Sequence, residues 1–283
     1  MSASVSPSNP TRDAIPVPSN ARASSRVRVE LARAGASTHA ASLFETGGLR
    51  LRFPNAGAAC EGVLINTGGG IAGGDRVTIV CDVGPSASAT VTTQSAEKIY
   101  RAETSPAEIG VTLQLAAKSK FVWLPQETIL FDGARLSRTF DVSMTSDVSL
   151  TVLESVVFGR IARAERLGDG LLRDRWRIRR DGRLIFAEDV RIEGQIADVL
   201  DQPACGGGAR TIATLLHISP KAETRLIGLR KVLTKAQSTC GASAYNGLLI
   251  ARFACADAAQ LRSDVARAAE FILRGALPRV WSC

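Results

Sequence analysis

Residues 75–83 read DRVTIVCDV: Val77, Ile79, Cys81 and Val83 fall on one side of an extended chain, and Arg76, Thr78, Val80 and Asp82 on the other. Successive side chains of an extended chain point to opposite faces, so this alternation predicts a half-buried strand and a β fold. Gly84-Pro85-Ser86 follows as a turn. The same period, broken by Gly, Asp, Ser or Asn about every ten residues, runs from about 26 to 193. It predicts strands at 89–93, 109–115, 120–124, 137–144, 149–157 and 171–180. Asp181-Gly182 predicts a two-residue hairpin between Trp176-Arg177-Ile178 and Leu184-Ile185-Phe186, because both central residues adopt positive φ at low cost.

Two segments depart from period two. Ser219 can cap a helix with Pro220 at its first position, after which Ala222, Leu226, Leu229 and Leu233 recur at helical spacing. Asp257 caps a second helix striped by Leu261, Val265, Ala269 and Ile272, and Gly275 with Pro278 ends it. The expected fold is mainly β, a body of many short strands with about two helices in the C-terminal third. One domain is expected over 27–283. Residues 1–26, rich in Ser, Pro, Ala and Asn, read as a disordered arm, and the Cys205-Gly206-Gly207-Gly208 stretch reads as a flexible loop.

At 45% hydrophobic and 22% charged residues the composition is globular, and no apolar run approaches the ~20 residues of a membrane span. Six cysteines stand singly, without a C-x-x-C pair or a His at zinc-ligand spacing. They are expected to be reduced thiols in the cytoplasm. His39 and His217 are the only imidazoles, so no high-affinity transition-metal site is expected. A net charge of +8 suits an acidic partner and leaves nucleic acid, acidic membrane and acidic protein open.

Gly68, Gly70 and Gly73 in GGGIAGGD have dinucleotide-fingerprint spacing, but a strand follows them where the pyrophosphate needs a helix N-terminus. The ordinary reading is a wide turn whose amides bind Asp75. There is no nucleophile elbow. Glu188 with Asp189, and Glu154 with Glu165, are the paired carboxylates a β-rich glycosidase would use, although adjacent acids on a strand point apart. Arg173, Arg175, Arg177 and Arg179 share one strand face as a basic stripe. It suits a solvated face, an acidic protein or, with few aromatics between, nucleic acid less well.

Four segments resemble the UreD (also called UreH) family of urease accessory proteins: GGGIAGGD (68–75), VTTQSAEKIYR (91–101), WLPQETILFDGA (123–134) and PRVWSC (278–283). Glu154, the FGR of 158–160 and Glu165 resemble its E…GR…GE segment, with Ala164 where a glycine is usual. The resemblance covers roughly 43–283 and implies a right-handed β-helix-like body without catalytic activity. It implies a scaffold in a metallochaperone complex that matures urease by nickel insertion, with apo-urease subunits, a UreF-type helical accessory protein and a UreG-type GTPase as partners. Neither nucleic acid nor membrane is an expected partner, and no cofactor is expected beyond transient Ni²⁺. It implies an internal polar conduit, for which the matched segments offer Asp75, Thr92, Thr93, Gln94, Tyr100, Gln126, Glu127, Glu154 and Glu165. Scattered carboxylates and hydroxyls release Ni²⁺ where His and Cys clusters would hold it. Pro278, Arg279, Val280 and Trp281 are the expected partner-binding end.

Overall fold

The structure, a computed structural model, describes residues 22–54, 60–163 and 165–282. In chain order the strands are β1 (Ser24–Ala34), β2 (Ser37–Thr46), β3 (Leu49–Arg52), β4 (Cys60–Asn66), β5 (Arg76–Val83), β6 (Ser88–Thr93), β7 (Glu97–Ile99), β8 (Ala107–Leu115) and β9 (Lys120–Leu124). They continue as β10 (Thr128–Leu130), β11 (Arg135–Met144), β12 (Ser149–Phe158), β13 (Asp169–Arg180), β14 (Arg183–Gln195), β15 (Thr211–Ile218), β16 (Thr239–Tyr245) and β17 (Leu248–Cys255). The α-helices are α1 (Ile196–Asp201), α2 (Leu226–Leu233) and α3 (Ala258–Leu273).

From β5 to β13 the chain visits two sheets in turn and lays each new strand parallel to the one before it. One sheet runs β14-β13-β11-β8-β5-β1-β2, and the other runs β16-β17-β15-β12-β9-β6-β4-β3, with β10 beside β12 and β7 beside β10. This stacking of coils is a β-helix-like arrangement. Parallel stacking aligns like with like, so Ile79, Val111, Phe140 and Trp176 form one inward row and Cys81, Leu113, Val142 and Ile178 the next. These rows, with Phe121, Leu150 and Val152 of the opposite sheet, make the core between the sheets. Helices α2 and α3 cover the outer face of the second sheet through Leu229, Leu261, Val265 and Ile272 against Leu153, Leu215 and Phe253. Strand β12 is therefore buried on both faces.

Several expectations meet this fold directly. Asp181 and Gly182 have φ of 49° and 78°, as the hairpin requires. Asp257 caps α3, its Oδ1 accepting from the Ala259 and Gln260 amides at 2.8 and 3.0 Å. The left-handed residue that ends α3 is Arg274, not Gly275. The first predicted helix opens as a 3₁₀ turn, Ala222–Arg225, before α2, and α1 was not anticipated. The Cys205–Gly208 stretch is a wound turn rather than a loose loop: the Cys205, Gly206 and Gly207 amides donate to Gln202 O, and Gly208 N donates to Leu200 O. Residues 1–21 of the expected arm lie outside the described residues, but Ser24–Arg26 already belong to β1.

Candidate functional site

Arg138 on β11 and Asp174 on β13 are side-by-side partners in register, and both point into the core between Ile109 and Val190. Their place in the alternation explains this: Arg138 shares a face with Leu136 and Phe140, and Asp174 with Leu172 and Trp176. Glu154 on β12 faces them from the other sheet. The Arg138 guanidinium forks onto Asp174, with Nε to Oδ1 at 3.0 Å and Nη2 to Oδ2 at 2.5 Å, and Nη1 donates to Glu154 Oε2. Trp123 Nε1 donates to Glu154 Oε1 at 2.7 Å and Trp176 Nε1 to Asp174 Oδ1 at 3.0 Å. Phe140 packs between the two indoles, with ring centroids 6.1 and 5.3 Å away.

Arg138 and Glu154 side chains are only 4% and 5% exposed, so their charges persist only because they are paired. Burial works against the Arg138 charge, but Asp174 and Glu154 outweigh it and raise its pKa further above the usual guanidinium range. One cation between two anions leaves an excess of negative charge, and burial pushes the Glu154 carboxyl up in spite of Arg138.

The triad separates two cavities. One, of about 110 Å³, is lined by Asn66, Thr93, Gln94, Glu97 and Gln126 as well as Arg138 and Glu154. The other, of about 380 Å³, is lined by Arg138, Glu154, Asp174, Thr214, Glu188 and Arg252. Arg252 on β17 reaches Glu188 on β14 at 2.6 Å, a second ion pair joining the two sheets. A polar seam thus crosses an otherwise apolar interface, from Asn66 and Glu97 through the triad to Glu188. Glu97 accepts both Asn66 Nδ2 contacts at 3.1 Å, and burial raises its pKa.

The C-terminal end closes over the first cavity's rim. Gln126 Nε2 donates to Val280 O at 2.7 Å. Arg262 of α3 donates to Gln126 Oε1 and Glu127 Oε1 at 2.5 and 2.8 Å, and its guanidinium lies 4.6 Å from the Trp281 ring centroid. Trp281 Nε1 donates to Leu124 O at 3.2 Å.

The family model described as UreD urease accessory protein matches residues 23–282. The chain belongs to the UreD urease accessory protein family. It is 46% identical over 254 residues to the urease accessory protein UreD of Methylobacterium sp. (strain 4-46), covering 88% of this chain and 90% of the relative. It is 42% identical to UreD of Xanthobacter autotrophicus, covering 92% and 90%, and 47% identical to UreD 1 of Methylobacterium radiotolerans, covering 90% of each.

Of the nine residues that the UreD resemblance offered for a conduit, Thr93, Gln94, Gln126 and Glu154 line the first cavity, and Glu154 also lines the second. The other five have different surroundings. Asp75 ties the glycine turn: Oδ2 accepts from Ala72 N at 2.9 Å and Oδ1 from Ala23 N at 2.8 Å. Thr92 donates to Leu124 O at 2.7 Å and Tyr100 to Gly69 O at 2.9 Å. The Tyr100 ring lies where a Cβ on Gly70 would stand, 2.4 Å away, which accounts for glycine there. Glu127 is held by Arg262, and Glu165 pairs with Arg160 at 2.6 Å. Pro278 and Trp281 are buried against the chain's own body, Val280 is half-buried, and Arg279 is exposed.

Glu97, Arg138, Asp174, Glu188 and Arg252 were not among the expected conduit residues. A signal for two of them was present, since Arg138 and Asp174 are charges on the apolar side of alternating strands. Among the described residues no three His, Cys, Asp or Glu side chains converge as a metal site, and no helix is long and apolar enough to cross a membrane.

Proposed function

We propose that this chain is a non-catalytic, cytoplasmic scaffold of the nickel-insertion complex, one that docks on apo-urease and conducts nickel through the seam between its sheets. UreF-type and UreG-type proteins complete the complex, the second supplying the ion. The observation that carries the reading is the pair of cavities meeting at Arg138 and Glu154, whose mostly apolar walls carry scattered carboxylates, amides and hydroxyls. Oxygen ligands that never gather into a chelating cluster suit an ion in transit, because a site that binds Ni²⁺ tightly would not release it. Pro278 and Trp281 pack on the body and leave exposed Arg279 and half-buried Val280 as what this end offers the helical partner.

Ala96, small and half-buried, lines the first cavity, so Ala96→Trp places an indole in the route at little cost to the core. The expected result is normal assembly with the partner proteins and apo-urease, together with at least tenfold less nickel in urease when nickel is limiting. Full nickel loading by a correctly assembled Ala96→Trp complex would contradict the conduit.

A further inference from the structure

Every oxygen of the two triad carboxylates already accepts a hydrogen bond. Glu154 Oε1 takes the Trp123 N–H and Oε2 takes Arg138 Nη1. Asp174 Oδ1 takes Arg138 Nε and Trp176 Nε1, and Oδ2 takes Arg138 Nη2. What bars a divalent cation is position: the guanidinium, whose planar fork matches carboxylates, stands between Glu154 and Asp174 where an ion bridging them would sit. The positive charge of Arg138 also repels a second cation, and in a buried site that repulsion is far less screened than in water.

The geometry points to Arg138 as the gate of the passage: in this conformation its guanidinium closes the junction of the two cavities to divalent cations. When it swings out, Glu154 and Asp174 become a transient oxygen seat for the ion. This rests on the conduit reading above. The second cavity, about 380 Å³ and lined by Arg138 itself, gives the long side chain room to move. Glu188 lines the same cavity and supplies the next carboxylate along the seam. The Arg252–Glu188 pair is a weaker bar, because Arg252 is 52% exposed and water screens it, whereas Arg138 is 4% exposed.

The test uses the purified full-length chain with Ni²⁺ alone, measured by equilibrium dialysis, after circular dichroism has shown each variant to be folded. Arg138→Met bares both carboxylates, and Ni²⁺ binding should become at least tenfold tighter than in the wild type. Adding Asp174→Asn should abolish the gain. Should Arg138→Met fail to fold, Arg138→Gln removes both the charge and the fork while keeping a hydrogen-bond donor, and should also bind Ni²⁺ more tightly than the wild type. A folded variant with wild-type Ni²⁺ affinity, or a gain that survives Asp174→Asn, would overturn the gate. Urease is absent from this measurement, so its outcome is separate from that of the Ala96→Trp plug, which tests the conduit.

Discussion

His217 is held between two hydroxyls, Thr151 Oγ1 at 2.9 Å from Nδ1 and Ser219 Oγ at 3.1 Å from Nε2, in a site only 4% exposed. A neutral imidazole satisfies both contacts, one ring nitrogen donating and the other accepting. Burial, with Arg225 nearby as a lesser cause, lowers its pKa from 6.5 to about 4. The unfolded chain therefore takes up a proton that the folded chain refuses, so this contribution to stability is present above pH 6.5. It is lost as pH falls toward 4, with a total of up to ~3 kcal/mol. Urea titrations between pH 7 and 4 should show a smaller loss of stability in His217→Gln than in the wild type, and equal losses would refute the assignment. Glu154 is legible as an inward residue because Leu150 and Val152 share its face. Arg138 is harder to read, since an arginine in an alternating strand is ordinarily assigned to the wet side. Only the inward neighbours Leu136, Phe140 and Val142 reveal the inversion.

The strands that were easy to read have one wet face and one dry face. Strands β15 and β17 escaped because the helices cover the sheet they belong to: in β17 Leu248, Leu249, Ile250 and Ala251 are all buried, so alternation disappears. Helix α1 has six residues, too short for a helical stripe to register. Because β1 begins at Ser24, deletion to residue 26 would remove the Ser25 hydroxyl that accepts Gly48 N at 2.9 Å, together with the first rungs of the pairing with β5. At the other end, truncation after Gly275 strips Arg262 of the Trp281 ring and carbonyl, and Gln126 of Val280 O. That truncation should abolish co-purification with the helical partner while α3 and its Asp257 cap persist. A truncated chain that still assembles would show that the tail only seals its own body.

Taken together, the two sheets and the helical layer produce an interface that is apolar almost everywhere and polar along one seam. Stacked coils are suited to this. Each inward row repeats one residue class, so replacing the hydrophobes of the Ile109 row by Arg138 and Asp174 puts charge at one level without disturbing the Phe140 and Val142 rows beside it. The basic stripe of β13 faces the other way; Arg173 pairs with Asp189 at 3.2 Å, and Arg177 donates to the Trp176 and Glu188 main-chain oxygens. Ala96 borders the first cavity, and Gly241, where an added Cβ meets nothing within 4 Å, borders the second. The decisive measurement counts nickel per urease active site delivered from a limiting supply by assembled complexes carrying Ala96→Trp or Gly241→Trp. A continuous passage predicts that either plug, on opposite sides of Arg138, lowers delivery at least tenfold, whereas wild-type delivery by both assembled variants would contradict it.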